Sequence, residues 1–137
     1  MNIENVDWQI TSRCNRSCGY CYGPSKGDDL PLENLKMIVD ILISQGVRQI
    51  GITGGEPLLY PKIEELIGYI KSHGISIYLS TNCDNYKHFS QLIKENVSII
   101  GLPLDGSTAY SHDLIRGAHS FNNIIYALDD ITSSSCS

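Results

Sequence analysis

Three cysteines stand close together near the start of the chain. Cys14, Cys18 and Cys21 form a C-x3-C-x2-C run, and they are three of the five cysteines in the 137-residue sequence. Thiolates bind zinc and iron–sulfur clusters, and cysteines packed this tightly do not form a sensible disulfide framework. The spacing therefore indicates a metal site in a reducing compartment.

Two kinds of metal site can use three thiolates. A structural zinc ion takes four ligands, usually from paired C-x2-C units, and the sequence has no second pair. An iron–sulfur cluster tolerates three cysteines when one iron is left open for another ligand. We therefore expect a cluster here, with a zinc site or three cysteines without any ligand as the alternatives.

Further polar segments follow apolar runs of the sequence. They are GGEP at 54–57, STN at 80–82, and PLDG at 103–106 followed by HDLIRG at 112–117. Two glycines let the backbone approach a ligand closely, and hydroxyl and amide groups can orient a polar ligand. An ordinary βα loop is the alternative interpretation of GGEP, and a helix cap or Asx turn is that of STN.

The apolar pattern predicts the elements that must position these motifs. Short β-branched runs alternate with stretches of helical period, which is typical of repeated βα units around a parallel sheet. Each motif then follows a strand at the carboxyl edge of the sheet, where parallel sheets bind ligands. The predicted strands are 6–11, 48–53, 75–81 and 97–105, and the predicted helices are 31–45, 61–73, 86–95 and one from about 120.

The predicted fold class is α/β, as a partial (β/α) barrel of parallel strands with about four βα units. We expect one domain over residues 1–137. Four strands are half of an eight-stranded barrel, so this domain is expected to be incomplete at its carboxyl end, as a natural short form or a truncation.

The composition excludes several classes of function. A formal net charge of -5 gives no basic surface for nucleic acid. No stretch reaches the run of about 18 apolar residues that a membrane span needs, and the N-terminus does not resemble a signal peptide. We therefore expect a cytoplasmic protein with no nucleic-acid or membrane partner, and leave its oligomeric state open.

The cysteine run, with Tyr20 as the aromatic residue before the third cysteine, resembles the cluster motif of the radical S-adenosylmethionine (radical SAM) superfamily. GGEP resembles the superfamily motif whose backbone receives the methionine amino group of the cofactor. PLDG with HDLIRG resembles a pattern of members that modify peptides and proteins, although Leu102-Pro103 stands where a small polar residue is commoner. The resemblance implies a 4Fe–4S cluster on the three cysteines and S-adenosylmethionine on the open iron.

The resemblance also implies which residues bind the cofactor and what reaction follows. Besides Tyr20 it assigns Gly54, Gly55, Glu56, Pro57, Asp105 and Arg116 to S-adenosylmethionine, and the polar Ser80 and Asn82 join them at the same edge. Reductive cleavage of the cofactor would yield a 5'-deoxyadenosyl radical that abstracts hydrogen from a substrate, with a peptide preferred. A reductant such as a flavodoxin or ferredoxin would supply the electron. The substrate-side catalytic residues are not assigned.

A second hypothesis comes from the shortness of the chain. A half barrel has little wall to shield a radical from solvent. The alternative is therefore a noncatalytic iron–sulfur module or an inactive fragment of such an enzyme, and a third possibility is a zinc-binding structural domain.

Overall fold

A computed structural model describes residues 3–23 and 27–134, so Cys136 lies outside the described residues. Strands and helices alternate along the chain until two helices follow the last strand. A short 3-10 helix (Pro57–Leu59) comes between the second strand and the second α-helix. The elements are β1 (Asn5–Thr11), α1 (Leu32–Ser44), β2 (Gln49–Gly54), α2 (Ile63–Ser72), β3 (Ser76–Ser80), α3 (Tyr86–Asn96), β4 (Ile99–Gly101), α4 (Ala109–Arg116) and α5 (Ser120–Ser134).

The strands form one parallel sheet in the order β1-β2-β3-β4, which confirms the predicted α/β fold. Each strand is joined to its neighbour through a helix, as parallel pairing requires. Trp8 pairs with Ile52, and Ile52 with Leu79, so the carboxyl ends of the first three strands reach the same edge. The loops after the strands therefore meet at that edge.

The two faces of the sheet differ in polarity because successive side chains of a strand point to opposite sides. Ile50, Ile52, Ile77 and Leu79 are fully buried and belong to one core with residues from α1, α2, α3 and α5. The polar residues that alternate with them line an open cavity of about 540 Å³ on the other face. The cavity is lined by Asp7, Gln9, Tyr22, Thr53, Gly54, Tyr78 and Ser80.

The fourth unit differs from its prediction. Residues 106–119 were expected to form a loop, but α4 occupies most of that segment. Its first turn is closed by Thr108, whose hydroxyl accepts a hydrogen bond from Ser111 N while the Ser111 hydroxyl accepts one from Thr108 N. Serine replaces the usual Glu or Gln of such a capping box, and the helix is only eight residues long, so its sequence signal is weak.

Two predicted boundaries also move. β4 pairs with β3 only over Ile99–Gly101, and the predicted strand as far as residue 105 is wrong. Pro103 has no N–H to donate, which disfavours further pairing. α2 begins at Ile63 after the N-cap Lys62, so Pro61 precedes the helix instead of opening it. Within the described part of the chain, no helix is long and apolar enough to cross a membrane.

The buried face of α2 gives a test of the core. We expect Ile67→Ala to lower the free energy of unfolding by about 2–5 kcal/mol, because the fully buried side chain would leave a cavity. Ile41→Ala in α1 is the matched control, since 58% of Ile41 is exposed, and it should change stability by less than about 0.5 kcal/mol. Urea unfolding of the metal-free protein measures both values, and equal losses would contradict the fold.

Candidate functional site

The three cysteines lie in the segment that follows β1, residues 12–23, here called the cysteine loop. All three thiols are free; Cys14 and Cys21 are exposed and Cys18 is half-buried. Cys21 N donates to the Cys18 carbonyl at 3.0 Å, and Gly19 N donates to the carbonyl of Ile115 in α4 at 3.4 Å. The loop thus lies at the carboxyl edge of the sheet, as predicted.

The arrangement of the three cysteine thiols distinguishes between the two kinds of metal site. Among residues 3–23 and 27–134, no three His, Cys, Asp or Glu side chains lie close enough to share one metal ion. A single zinc ion needs all its thiolates about 2.3 Å away, so the cysteines would have to move together to bind it. A cluster places each cysteine on a different iron, so it does not require the three thiolates to meet at one point.

The charges near Cys14 also suit a cationic group. Burial raises the pKa of the Cys14 thiol, and the Arg16 backbone N–H acts in the opposite direction. Negative charge on Glu56 and on the other two cysteines raises this pKa further, and the net shift is upward. Without a metal the thiolates therefore repel one another, and iron would remove that repulsion.

GGEP lies directly against the cysteine loop. Gly55 N donates to the Thr11 carbonyl at 3.0 Å, and Glu56 N donates to the Arg13 carbonyl at 2.7 Å. A Cβ at position 54 would lie 2.5 Å from the Thr11 oxygen, and one at position 55 would lie 2.2 Å from the Arg13 oxygen. Gly54 is therefore needed for the close approach of the end of β1, and Gly55 for that of the cysteine loop.

The Glu56 carboxylate links the ends of β2 and β3. It is 1% exposed, and its Oε1 accepts hydrogen bonds from Thr81 Oγ1 at 2.7 Å and Leu58 N at 3.1 Å. Its Oε2 accepts one from Asn82 N at 2.7 Å. Burial raises the pKa of Glu56 above its ordinary value although these hydrogen bonds act to lower it. Pro57, also buried, opens the 3-10 helix that follows.

Asn82 connects the end of β3 to the cysteine loop. Its Nδ2 donates to Asn15 Oδ1 at 2.8 Å, and its Oδ1 accepts from Asp84 N at 2.9 Å, which is the geometry of an Asx turn. The local interpretation of STN is therefore confirmed for Asn82. Ser80 is half-buried and lines the cavity on the polar face of the sheet together with Gly54.

Tyr20, Asp105 and Arg116 form one cluster of side chains. The Tyr20 hydroxyl donates to Asp105 Oδ2 at 2.7 Å, and the Arg116 guanidinium donates to both partners. Burial and the hydrogen bond to Asp105 raise the pKa of Tyr20 to about 12, so its hydroxyl stays protonated at neutral pH. Residues predicted from three separate motifs are thus brought into contact.

The HDLIRG segment holds this cluster in place. His112 is fully buried, and its Nδ1 accepts a hydrogen bond from Asp105 N at 3.1 Å, which leaves the proton on Nε2, 3.2 Å from Ser120 Oγ. Asp113 accepts hydrogen bonds from the N–H groups of His119 and Phe121 at the start of α5. The segment therefore positions both the end of the fourth unit and the last helix.

Sequence reasoning missed two groups of residues. Arg16, in sequence only a basic residue between Cys14 and Cys18, forms an ion pair with Asp84 after β3. Asp84 lies two residues after STN at the same edge of the sheet, and it was the sequence feature that could have indicated this pairing. Asp7, Gln9 and Tyr78 on the polar face were also missed, although alternation of polar and apolar residues along β1 indicates such a face.

Comparison with known proteins decides the family. The model of the radical SAM superfamily matches residues 8–136. The chain belongs to the radical SAM superfamily. Membership implies a 4Fe–4S cluster and S-adenosylmethionine as its cofactors, and Cys14, Cys18 and Cys21 have the chemistry and accessibility that the cluster needs.

Several relatives of the radical SAM chain are enzymes. Mycofactocin maturase MftC of Mycobacterium ulcerans is 31% identical over 131 residues, which are 92% of this chain and 36% of that protein. GTP 3',8-cyclase of Helicobacter pylori is 32% identical over 112 residues, which are 75% of this chain and 35% of that protein. The radical SAM chain thus spans about a third of the length of these relatives.

Solved structures show the same fold. The crystal structure of Streptococcus suis SuiB bound to precursor peptide SuiA has a TM-score of 0.78 and 20% sequence identity, and the match covers 94% of this chain and 31% of SuiB. A SuiB structure bound to S-adenosylmethionine also gives a TM-score of 0.78. At this sequence identity, the likeness to SuiB shows that the two proteins share the fold of the partial barrel and nothing more.

A methyl group at position 55 tests the close approach of the two loops. We expect Gly55→Ala to cost about 1–3 kcal/mol of unfolding free energy, because its Cβ would lie 2.2 Å from the Arg13 oxygen. Gly68→Ala, in α2 with no atom within 4 Å of its Cβ, should instead stabilise the protein by about 0.5–1 kcal/mol. Denaturant unfolding compares the two, and a stabilising Gly55→Ala would show that the loops do not touch.

The Glu56 carboxylate gives a second test. Glu56→Gln keeps the size of the side chain but faces an NH₂ group towards Asn82 N or Thr81 Oγ1, which leaves a buried donor unsatisfied. We expect a loss of about 1–3 kcal/mol at neutral pH. The control is Glu65→Gln, at an exposed site, where the change should stay below about 0.5 kcal/mol. Thermal and denaturant unfolding measure the difference, which should vanish if Glu56 is solvated.

Proposed function

We propose that the chain is the part of a radical SAM enzyme that holds a 4Fe–4S cluster and S-adenosylmethionine and directs the cofactor's cleavage. Support comes above all from one observation: the loops after β2, β3 and β4 all contact the cysteine loop, which follows β1. Glu56 N contacts the Arg13 carbonyl, Asn82 contacts Asn15, and Asp105 contacts Tyr20. When bound, the two cofactors supply a 5'-deoxyadenosyl radical that abstracts hydrogen from the substrate.

In this proposal the three cysteines hold the cluster, and the neighbouring loops hold S-adenosylmethionine. The backbone of Gly54, Gly55, Glu56 and Pro57 receives the methionine amino group. The carboxylate of Glu56 is already engaged by three internal donors, so its contribution is to fix that backbone. Asn82 likewise acts by fixing the loop, while Ser80 faces the cavity where a ligand can reach it.

The cluster of Tyr20, Asp105 and Arg116 is proposed to bind two further groups of the cofactor. Asp105 and Arg116 offer a hydrogen-bond acceptor and a cation to the ribose hydroxyls and the methionine carboxylate. Tyr20 adds a neutral aromatic ring beside them, with the Arg116 guanidinium 5.4 Å from the ring centroid. Their mutual hydrogen bonds keep these groups in position before a ligand arrives.

A peptide is the proposed substrate class, and the polar face of the sheet is the proposed surface for it. Two of the relatives support this preference: one is named a maturase, and the SuiB structure contains a precursor peptide. The electron is proposed to come from a reductant such as a flavodoxin or ferredoxin. Exposure of Cys14 and Cys21 gives such a protein a short path to the cluster.

A noncatalytic iron–sulfur module is the second candidate. One observation favours it: the polar face of the described half barrel opens to solvent through a cavity of about 540 Å³. An open site does not exclude water from a reactive intermediate. Such a module would bind the cluster and release no 5'-deoxyadenosine.

Anaerobic reconstitution tests the proposed function. The protein is loaded with iron and sulfide, reduced with dithionite and mixed with S-adenosylmethionine, and 5'-deoxyadenosine is measured by chromatography. We expect product from the parent chain, none from Cys18→Ala, and undiminished product from Cys83→Ala, whose thiol is buried against the Thr81 carbonyl. A bound cluster without product would favour the noncatalytic module, and bound zinc in place of iron would contradict both.

A further inference from the structure

An ion pair joins the cysteine loop to the segment after β3, between two residues that the proposed function does not use. Arg16 Nη2 lies 2.5 Å from Asp84 Oδ1, and Arg16 Nε lies 2.7 Å from Asp84 Oδ2. The two side chains are 10% and 14% exposed. The guanidinium therefore meets the carboxylate in a bidentate, largely buried arrangement, which fixes orientation as well as distance.

Asp84 holds more than Arg16. Its Oδ2 also accepts a hydrogen bond from Asn15 Nδ2 at 2.9 Å, and its Oδ1 accepts one from Asn123 Nδ2 of α5 at 2.9 Å. Asn15 and Arg16 are the two residues that follow Cys14, and the next cysteine is Cys18. A single carboxylate after β3 thus fixes the segment between two of the cysteines and joins it to the last helix.

The opposite side of the guanidinium reaches the fourth unit. Arg16 Nη1 donates to the Arg116 carbonyl at 2.9 Å and to the Ala118 carbonyl at 3.3 Å. Gly117 lies between these carbonyls with φ 96°, and a Cβ there would lie 3.1 Å from Arg16 Nη1. Arg16 therefore connects the cysteine loop to the turn that also contains Arg116. The same guanidinium thus holds both the cysteine loop and the backbone of a proposed cofactor-binding residue.

The other arginine of the loop is a natural comparison. Arg13 also pairs with a carboxylate, Asp29, at 2.5 Å, but its side chain is 57% exposed. The Asp29 side chain is only 9% exposed, but an ion pair whose cation lies largely in solvent contributes less to stability and geometry than a buried bidentate pair. A buried pair costs desolvation that its attraction does not always repay, so stability alone is a weak reason for Arg16 and Asp84 to be paired here.

We infer that Arg16 and Asp84 are positioning residues for the cluster. Before iron binds, they hold the segment between Cys14 and Cys18 in the conformation that accepts the cluster. This inference rests on the proposed function. Lysine cannot replace Arg16 in this role, because a point charge cannot bind the carboxylate in a bidentate manner and reach two carbonyls as well. The pair would thus control cluster affinity and environment without touching iron.

Cluster retention after anaerobic loading with iron and sulfide tests the inference. Arg16→Lys and Asp84→Asn are compared with the parent chain and with the control Arg13→Ala. We expect the two variants to lose iron to a chelator more readily than the parent, because removal of supporting groups around metal ligands lowers metal affinity about 10- to 100-fold. The electron paramagnetic resonance spectrum of the reduced cluster should change in both variants and stay unchanged in Arg13→Ala.

Circular dichroism separates positioning from loss of the fold. If the pair served stability alone, the two substitutions would lower the unfolding midpoint measured by circular dichroism. They would leave the electron paramagnetic resonance spectrum of the folded, loaded protein unchanged. If Arg16→Lys and Asp84→Asn hold iron as long as the parent and give the parent spectrum, the inference is wrong while the proposed function stands. If the parent chain itself binds no cluster, the proposed function fails and the inference with it.

Discussion

The buried carboxylate of Glu56 is the interaction on which the arrangement of the site depends. It accepts hydrogen bonds from Leu58, Thr81 and Asn82, while the backbone N–H of the same residue donates to the Arg13 carbonyl. One residue thereby holds the loops after three neighbouring strands at a fixed separation. Burying this charge raises its pKa, and only the full set of donors makes the burial tolerable.

The rest of the site follows from how closely those loops approach. Because positions 54 and 55 carry no side chain, the cysteine loop can lie against the end of β2. Arg16 and Tyr20 then extend the same contact network to the β3 loop and, through Arg116, to α4. All three thiols stay at the carboxyl edge, next to the polar face of the sheet. A family that binds a cluster and a polar cofactor needs both features side by side.

The sequence was sufficient for the features that depend on local pattern. The βα alternation, the parallel sheet and the position of the cysteines after β1 all followed from short stretches of residues. α4 was missed because a serine capping box over a helix of eight residues carries little local signal. The extent of β4 was overestimated, since apolar residues continue beyond the point where pairing with β3 stops.

The contacts that organise the site could not be predicted in the same way. Arg16 and Asp84 are 68 positions apart, and Arg16 reaches Ala118 across 102 positions. Such pairings depend on which loops the fold brings together, and a single sequence contains no record of that. The roles of Gly54 and Gly55 show the same limit: their need for space was foreseen, but the neighbours that fill it are the end of β1 and the cysteine loop.

In the proposed site, Cys14, Cys18 and Cys21 hold a cluster with one iron left open for S-adenosylmethionine. Mössbauer spectroscopy of the chain loaded with ⁵⁷Fe tests this arrangement, with spectra recorded before and after the cofactor is added. We expect the signal of one iron alone to change, because its ligands change while the other three keep their thiolates. An unchanged spectrum, or equal changes at every iron, would contradict the account.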